Sequence, residues 1–328
     1  MSKIASTSTL PAEYRAWVWR GSASPLDLQL ETLPLLLPQA GEVLVRNIAI
    51  GLNPVDWKVM GGDLLGWQPG KVPGVDAAGV VAAVGEGVPA ALLGQAVAYH
   101  QSLHKPGSFA EYTPVAAQVL LRLPETLDFA TAASFPCPGL TAWQALSKLP
   151  ERPGQRLLVS GAGGAVGNFL VQLAERRGFE VSVLCNSSHW SRLQALGARD
   201  CFADIAALES LSFFAAIDTV NAGHAAQLAP YLDANGHLVC IQGRVESWPC
   251  PPFQQVLSIH EVALGALHQF GSAQAWAELT EAGSALLASL GSGHLRAETL
   301  VVQDFHTLPQ LLEALRLRNF SGKPVVRL

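Results

Sequence analysis

Residues 157–167 read LLVSGAGGAVG. An apolar run ends in a serine, and four glycines then fall within seven residues. A strand, a glycine turn and a helix start, in that order, make a cradle for pyrophosphate. The first helical turn presents unpaired N–H groups, and the helix dipole favours an anion there. Glycines tighten the turn and let a phosphate approach the backbone. The register is Ala162-x-Gly164-x-x-Gly167, with Ala162 standing for the first glycine of the dinucleotide fingerprint. Ala162, Gly163, Gly164, Ala165, Val166 and Gly167 are therefore the expected cofactor-binding loop.

The end of the next strand selects the dinucleotide. An NAD site carries an acid there, bonded to the ribose 2′-hydroxyl. Here the strand EVSVLC runs into Asn186, Ser187, Ser188, His189, Trp190, Ser191 and Arg192, with no carboxylate. Hydroxyls and a guanidinium suit a 2′-phosphate through charge-assisted bonds. Asn186, Ser187 and Arg192 are thus the expected 2′-phosphate group, and NADPH is the expected cofactor. The competing reading is that Ser187 or Ser188 only caps the following helix and that Arg192 is solvated.

Two styles of chain position these residues. In the first third, AWVWR, GEVLVRNIAI, AAGVVAAVG and GQAVAYH read as strands parted by Gly, Pro and Asp turns, which suggests a small β-barrel. From about residue 129 strands alternate with helices: RLLVS, AVGNFLVQLAERRG, EVSVLC, HWSRLQALGA, DCFA, AAIDTV, GHLVCIQG and EVALGALH. That alternation predicts a parallel sheet covered on both faces. After residue 271 come the helices AQAWAELTEAGSALLASL and TLPQLLEALRL and the strand PVVRL. The expected organisation is α/β, with one domain over 1–128 and 272–328 and a dinucleotide-binding domain over 129–271. Residues 1–13 read as a loosely ordered extension.

Composition narrows the class. Of 328 residues, 49% are hydrophobic and 14% charged, with a net charge of −5 and no run of one sign. This suits a packed core and no nucleic-acid partner. The five cysteines lack CxxC spacing, so reduced thiols in the cytoplasm are expected. No apolar stretch reaches ~18 residues, and no membrane partner is expected.

The motifs GLNPVDWKV, VPGVDAAGVVAAVGEGV, GSFAEY, ASFPCPGLTAWQAL, SGAGGAVG, IDTV and SGKPVVRL, in this order, resemble the medium-chain dehydrogenase/reductase superfamily, and most closely its zinc-free, quinone-oxidoreductase-like branch. The resemblance runs from about Arg15 to Leu328. It implies a GroES-like β-barrel catalytic domain made from both chain ends, a Rossmann doubly wound sheet inserted between them, and a homodimer joined at the Rossmann edge strand, for which EVALGALH is the candidate. Where zinc-binding members place Cys, His and Cys, this chain has Asn53, Val75 and Cys137. One thiol does not make a catalytic zinc site, and His100 and His104 have no third ligand nearby in sequence. No metal is expected.

The resemblance also names site residues. Asn53 stands where the zinc-ligand loop faces the nicotinamide; it donates to a substrate oxygen or ties down the Asn53-Pro54 turn. Tyr99 lines the pocket or closes the core. Asp56 and Asp76 read as turn stabilisers, and Lys58 as solvated. Thr141 matches a threonine near the nicotinamide ribose. Arg318 matches an arginine on the 2′-phosphate side, and Asp204 stands where relatives place a tyrosine near the adenine phosphate. Asn221 and Gly243 lie at carboxyl ends of strands, where such sheets bind ligands.

The implied function is hydride transfer from NADPH to a small electrophile, a quinone or an α,β-unsaturated carbonyl. Two rivals stand: a zinc-type alcohol dehydrogenase, and an NADPH- or RNA-binding protein without turnover.

Overall fold

The computed structural model describes residues 5–6, 10–61, 65–318 and 321–328. The chain divides into two compact units, Met1–Cys137 with Gly265–Leu328, and Pro138–Leu264. The sequence reading set its cuts at 128/129 and 271/272. The helix at Phe129–Ala133 packs on strands of the first unit, which moves the first border past it.

The first unit begins with β1 (Ala5–Ser6), β2 (Glu13–Val18), β3 (Gln29–Pro34), β4 (Glu42–Gly51), α1 (Pro54–Met60), β5 (Asp76–Val84), β6 (Ala96–His100), β7 (Tyr112–Ala116), β8 (Leu120–Arg122) and α2 (Phe129–Ala133). The expected loose extension is partly a strand: Ala5 and Ser6 pair antiparallel with Val84 and Ala83. Residues 1–4 and 7–9 lie outside the described residues. Residues 62–64, inside the 60–70 loop, also lie outside them.

The chain then enters the second unit through α3 (Pro136–Ser147). There follow β9 (Arg156–Ser160), α4 (Ala165–Arg176), β10 (Glu180–Leu184), α5 (Trp190–Gln194), β11 (Asp200–Phe202), β12 (Phe213–Asp218), α6 (Ala222–Leu228), β13 (Leu232–Cys240) and β14 (Ser258–Glu261). All pairings are parallel, in the order β11-β10-β9-β12-β13-β14. This is the doubly wound Rossmann order, whose topological switch point lies between β9 and β12. Its strands read as near-continuous apolar runs because helices cover both faces. Leu157, Leu158 and Val159 of β9 are wholly buried.

The edge strand corrects one expectation. EVALGALH is not a strand: pairing ends at Glu261, and Leu264–Phe270 is helical. Leucine and alanine favour helix over strand once the ladder ends. The edge is SIHE, a polar stretch.

The returning segment carries α7 (Leu267–Phe270), α8 (Ala273–Gly291), β15 (Leu300–Asp304), α9 (Leu308–Leu317) and β16 (Lys323–Arg327). Among the described residues, eight strands of the first unit form one sheet, in the order β15-β16-β4-β5-β6-β8, with β1 on β5 and β7 on β4. β16 pairs antiparallel with β4, so the two chain ends complete one sheet. The ladder between β4 and β5 is bulged beside Asn47, and a Cβ on Gly79 would come within 2.0 Å of the Arg46 carbonyl oxygen. Glycine is needed at that close approach.

Candidate active site

The glycine loop follows the buried Ser160 at the end of β9. Gly161 has a φ of +69°, which other residues rarely adopt. Gly164 is the N-cap of α4 and supplies no side-chain cap, so the first-turn N–H groups keep no side-chain partner there. A Cβ on Gly164 would meet nothing within 4 Å, whereas one on Gly167 would come within 2.2 Å of the Ala162 carbonyl oxygen. Gly167 thus lets α4 press against the loop, and Gly164 leaves the outer side open. Ala165 and Val166 are half-buried at the helix start, and Ala162 is buried. An open glycine, a helix of 12 residues and uncapped N–H groups fit a pyrophosphate.

The segment after β10 has its own local bonds. The cap is made by Asn186, whose Oδ1 accepts from the Ser188 N–H at 2.9 Å. Ser187 is exposed. Arg192 turns back to the loop: Nη1 donates to Asn168 Oδ1 at 2.7 Å and Nη2 to the Gly163 carbonyl at 2.8 Å. His189 was not singled out from sequence. Its ring edge lies where a Cβ on Gly163 would stand, 2.4 Å from His189 Cδ2 and 2.7 Å from Nε2. Residues 189 and 192 share a helical face, and together they grip one glycine.

At the end of β12 the buried Asp218 gathers four donors. Oδ1 lies 3.1 Å from Ser160 Oγ and 2.7 Å from His224 Nδ1, and Oδ2 accepts from the Val220 and Asn221 N–H groups, each at 3.0 Å. These bonds fix the turn beside the glycine loop, where the Thr219 hydroxyl donates to the Gly161 carbonyl at 3.0 Å. Asn221 caps α6 through the His224 N–H. Gly243, at φ +125°, lies three residues past the end of β13. Asp204 caps the short turn at Ile205–Leu208 by accepting from the Ala207 N–H. Thr141 is buried in α3.

The first unit holds a buried polar knot. Asn53 Nδ2 donates to Asp76 Oδ2 at 2.9 Å, and Lys323 Nζ donates to Asn53 Oδ1 at 2.5 Å and to the Leu52 carbonyl at 2.8 Å. The Asn53 N–H donates to Asp56 Oδ2 at 2.7 Å, closing the start of α1, and the Cys137 N–H donates to Asp76 Oδ2 at 2.8 Å. Burial pushes Asp56 up to about 8, against the opposing Asn53 backbone bond, and Asp76 up to about 7, against the Lys323 charge. Asp56 Oδ1 and Asp76 Oδ1 have no hydrogen-bond partner among the described residues. Two wholly buried carboxyls share one ammonium, so one of them keeps a proton near neutrality.

Tyr99 is enclosed in the core, its hydroxyl donating to Asn47 Oδ1 at 2.9 Å. His100 is stacked on His268 with Nδ1 3.1 Å from its Nε2. Among the described residues no His, Cys, Asp and Glu side chains form a metal-binding group. Arg318 is exposed in a left-handed conformation at the end of α9, close enough to Lys58 to lower its pKa, after burial. No helix is long and apolar enough to cross a membrane, among the described residues.

Residues 39–125 match the alcohol dehydrogenase GroES-like domain family. The chain is 32% identical over 226 residues to a chloroplast envelope quinone oxidoreductase homolog of Arabidopsis thaliana, covering 64% of this chain and 68% of that protein. It is also 32% identical over 207 residues to an NADPH-dependent alkenal/one oxidoreductase, chloroplastic, of the same organism, covering 60% of this chain and 53% of that one. The match thus spans about half to two thirds of these relatives' length. A solved structure described as a putative NADPH:quinone reductase from Bacillus thuringiensis superposes with a TM-score of 0.85 at 23% identity, covering 97% of this chain and 100% of that one, and shares the fold. With the Rossmann sheet, the GroES-like domain and these likenesses together, the chain belongs to the quinone-oxidoreductase-like branch of the medium-chain dehydrogenase/reductase superfamily of oxidoreductases.

Proposed function

We propose that this chain is a zinc-independent, NADPH-dependent reductase of quinones or α,β-unsaturated carbonyls. The observation that carries the cofactor reading is the segment after β10: it has no carboxylate and sets His189 and Arg192 against Gly163. The bound nicotinamide supplies a hydride. The α4 N–H groups and the glycine loop hold the pyrophosphate, and Arg192 braces the loop in its binding shape. Asn221 and the Asp218 network keep the adjoining strand ends in place.

The zinc-free reading rests on the knot. Asn53, at the first ligand position, has its amide committed to Asp76 and to the Lys323 ammonium. The knot holds the Lys323 ammonium against the residue that stands at the first ligand position. Without a Lewis acid the acceptor must already be electrophilic, as a conjugated carbonyl is. The named activities of the relatives lean the same way. A cytoplasmic homodimer is part of the proposal, with β14 at the end of its sheet as the pairing edge.

Equilibrium titration with NADPH and NADH, read by energy transfer from the tryptophans to the reduced nicotinamide, tests the cofactor reading. NADPH is expected to bind at least about tenfold tighter, the scale of one charge-assisted pair. Equal binding, or tighter NADH, contradicts it.

A further inference from the structure

The His189 ring lies against Gly163. The ring is only half-buried, it follows three exposed residues, and it displaces the side chain that position 163 would otherwise carry. Its Nε2 edge faces the loop, beside the carbonyl that Arg192 holds. Ser187, Ser188 and the amide nitrogen of Asn186 are neutral groups, so the positive charge of this corner rests with Arg192 and, when protonated, His189.

We propose that His189 is the specificity-determining residue for the ribose 2′-phosphate, which it meets as an imidazolium, so that binding NADPH takes up a proton that binding NADH does not. This deepens the NADPH reading and rests on it. Arg192 spends two N–H donors within the protein, bracing the loop for either dinucleotide. His189 is the group whose charge can follow the ligand.

In the resting protein burial, and then the Arg192 guanidinium, hold the imidazole below its ordinary value. The loop Gly161–Gly167, against which the ring lies, bears no titratable side chain. A phosphate dianion beside the ring opposes both effects and raises the imidazole pKa in the complex. A group whose pKa rises on binding favours binding at low pH, and the gain is lost as pH rises through its value in the complex. NADPH affinity therefore falls with rising pH while NADH affinity does not. A rise of one pKa unit changes affinity about tenfold.

The test is the ratio of NADH to NADPH dissociation constants at pH 6.5 and 8.5, where the 2′-phosphate, with a second pKa of about 6, is mostly dianionic. A one-unit rise from at or just below the ordinary imidazole value makes the ratio in the parent protein fall about two- to fivefold across this range. In His189→Gln, which keeps a neutral donor, it is expected to be low and flat. Calorimetry of the parent in two buffers of different ionisation heat gives a second readout, independent of any variant: proton uptake with NADPH near pH 7 and none with NADH. A preference for NADPH that is equal at both pH values, survives in His189→Gln and takes up no proton overturns the role of His189 alone. Absence of preference at both pH values overturns it together with the cofactor reading.

Discussion

Asn53 is committed on both sides of its amide, to a carboxylate and to an ammonium, and Asp56 closes the same turn from below. These bonds tie down the turn at the start of α1. They also make Asp56 a measurable group. Its folded-state value of about 8 lies above the ~4 of an exposed carboxyl. The folded protein keeps a proton that the unfolded chain gives up, so this contribution to stability is full below pH ~4 and is lost as pH rises through about 8. Asp56→Asn removes the titration while its amide oxygen still accepts from the Asn53 N–H. Between pH 6 and 8.5 the parent is expected to lose about 2–4 °C of melting temperature more than the variant, the scale of about 2 kcal/mol in a chain of this size. Parallel melting curves across that range would contradict the assignment.

The strand, loop and helix at residues 156–176 separate two uses of glycine. Gly167→Ala drives a methyl into the Ala162 carbonyl, 2.2 Å away, and backbone must shift. A stability loss of about 1–3 kcal/mol is expected, measurable by denaturant unfolding. Gly164→Ala meets open space at an ordinary φ of −92°, so its unfolding midpoint should match the parent. Its methyl nevertheless stands where the pyrophosphate approaches, and NADPH affinity is expected to drop at least about tenfold, or 1.4 kcal/mol. Parent-like affinity in Gly164→Ala would remove the pyrophosphate from this loop.

The elements show what a sequence reading reaches. The glycine loop was legible because apolar period, glycine spacing and helix start all fall within a few residues. The knot was not, because Lys323 reaches Asn53 across 270 residues of chain. The grip on Gly163 was half legible: Arg192 was chosen for its charge, but its partners lie on the preceding loop and helix. His189, three residues earlier, drew no notice because a lone histidine at a helix start has no sequence signature. EVALGALH was misread because an apolar run does not by itself tell a strand from a helix.

For the whole molecule, a contiguous Rossmann unit lies in sequence between two segments of a GroES-like unit whose ends pair through β16 and β4. That organisation is the family's, and it is compatible with alcohol or enone chemistry. Asn53, an amide already bonded to Lys323, separates the two under the proposed function. The proposed chemistry is reduction of a conjugated carbonyl without a metal. The most direct measurement is the rate of NADPH oxidation with a panel of quinones and enones, on protein treated with a chelator and shown to be free of zinc, before and after zinc is restored. Turnover of at least one conjugated acceptor, unchanged by zinc, is the predicted result. Activity that appears only with zinc, or with simple alcohols in place of conjugated carbonyls, would contradict the account.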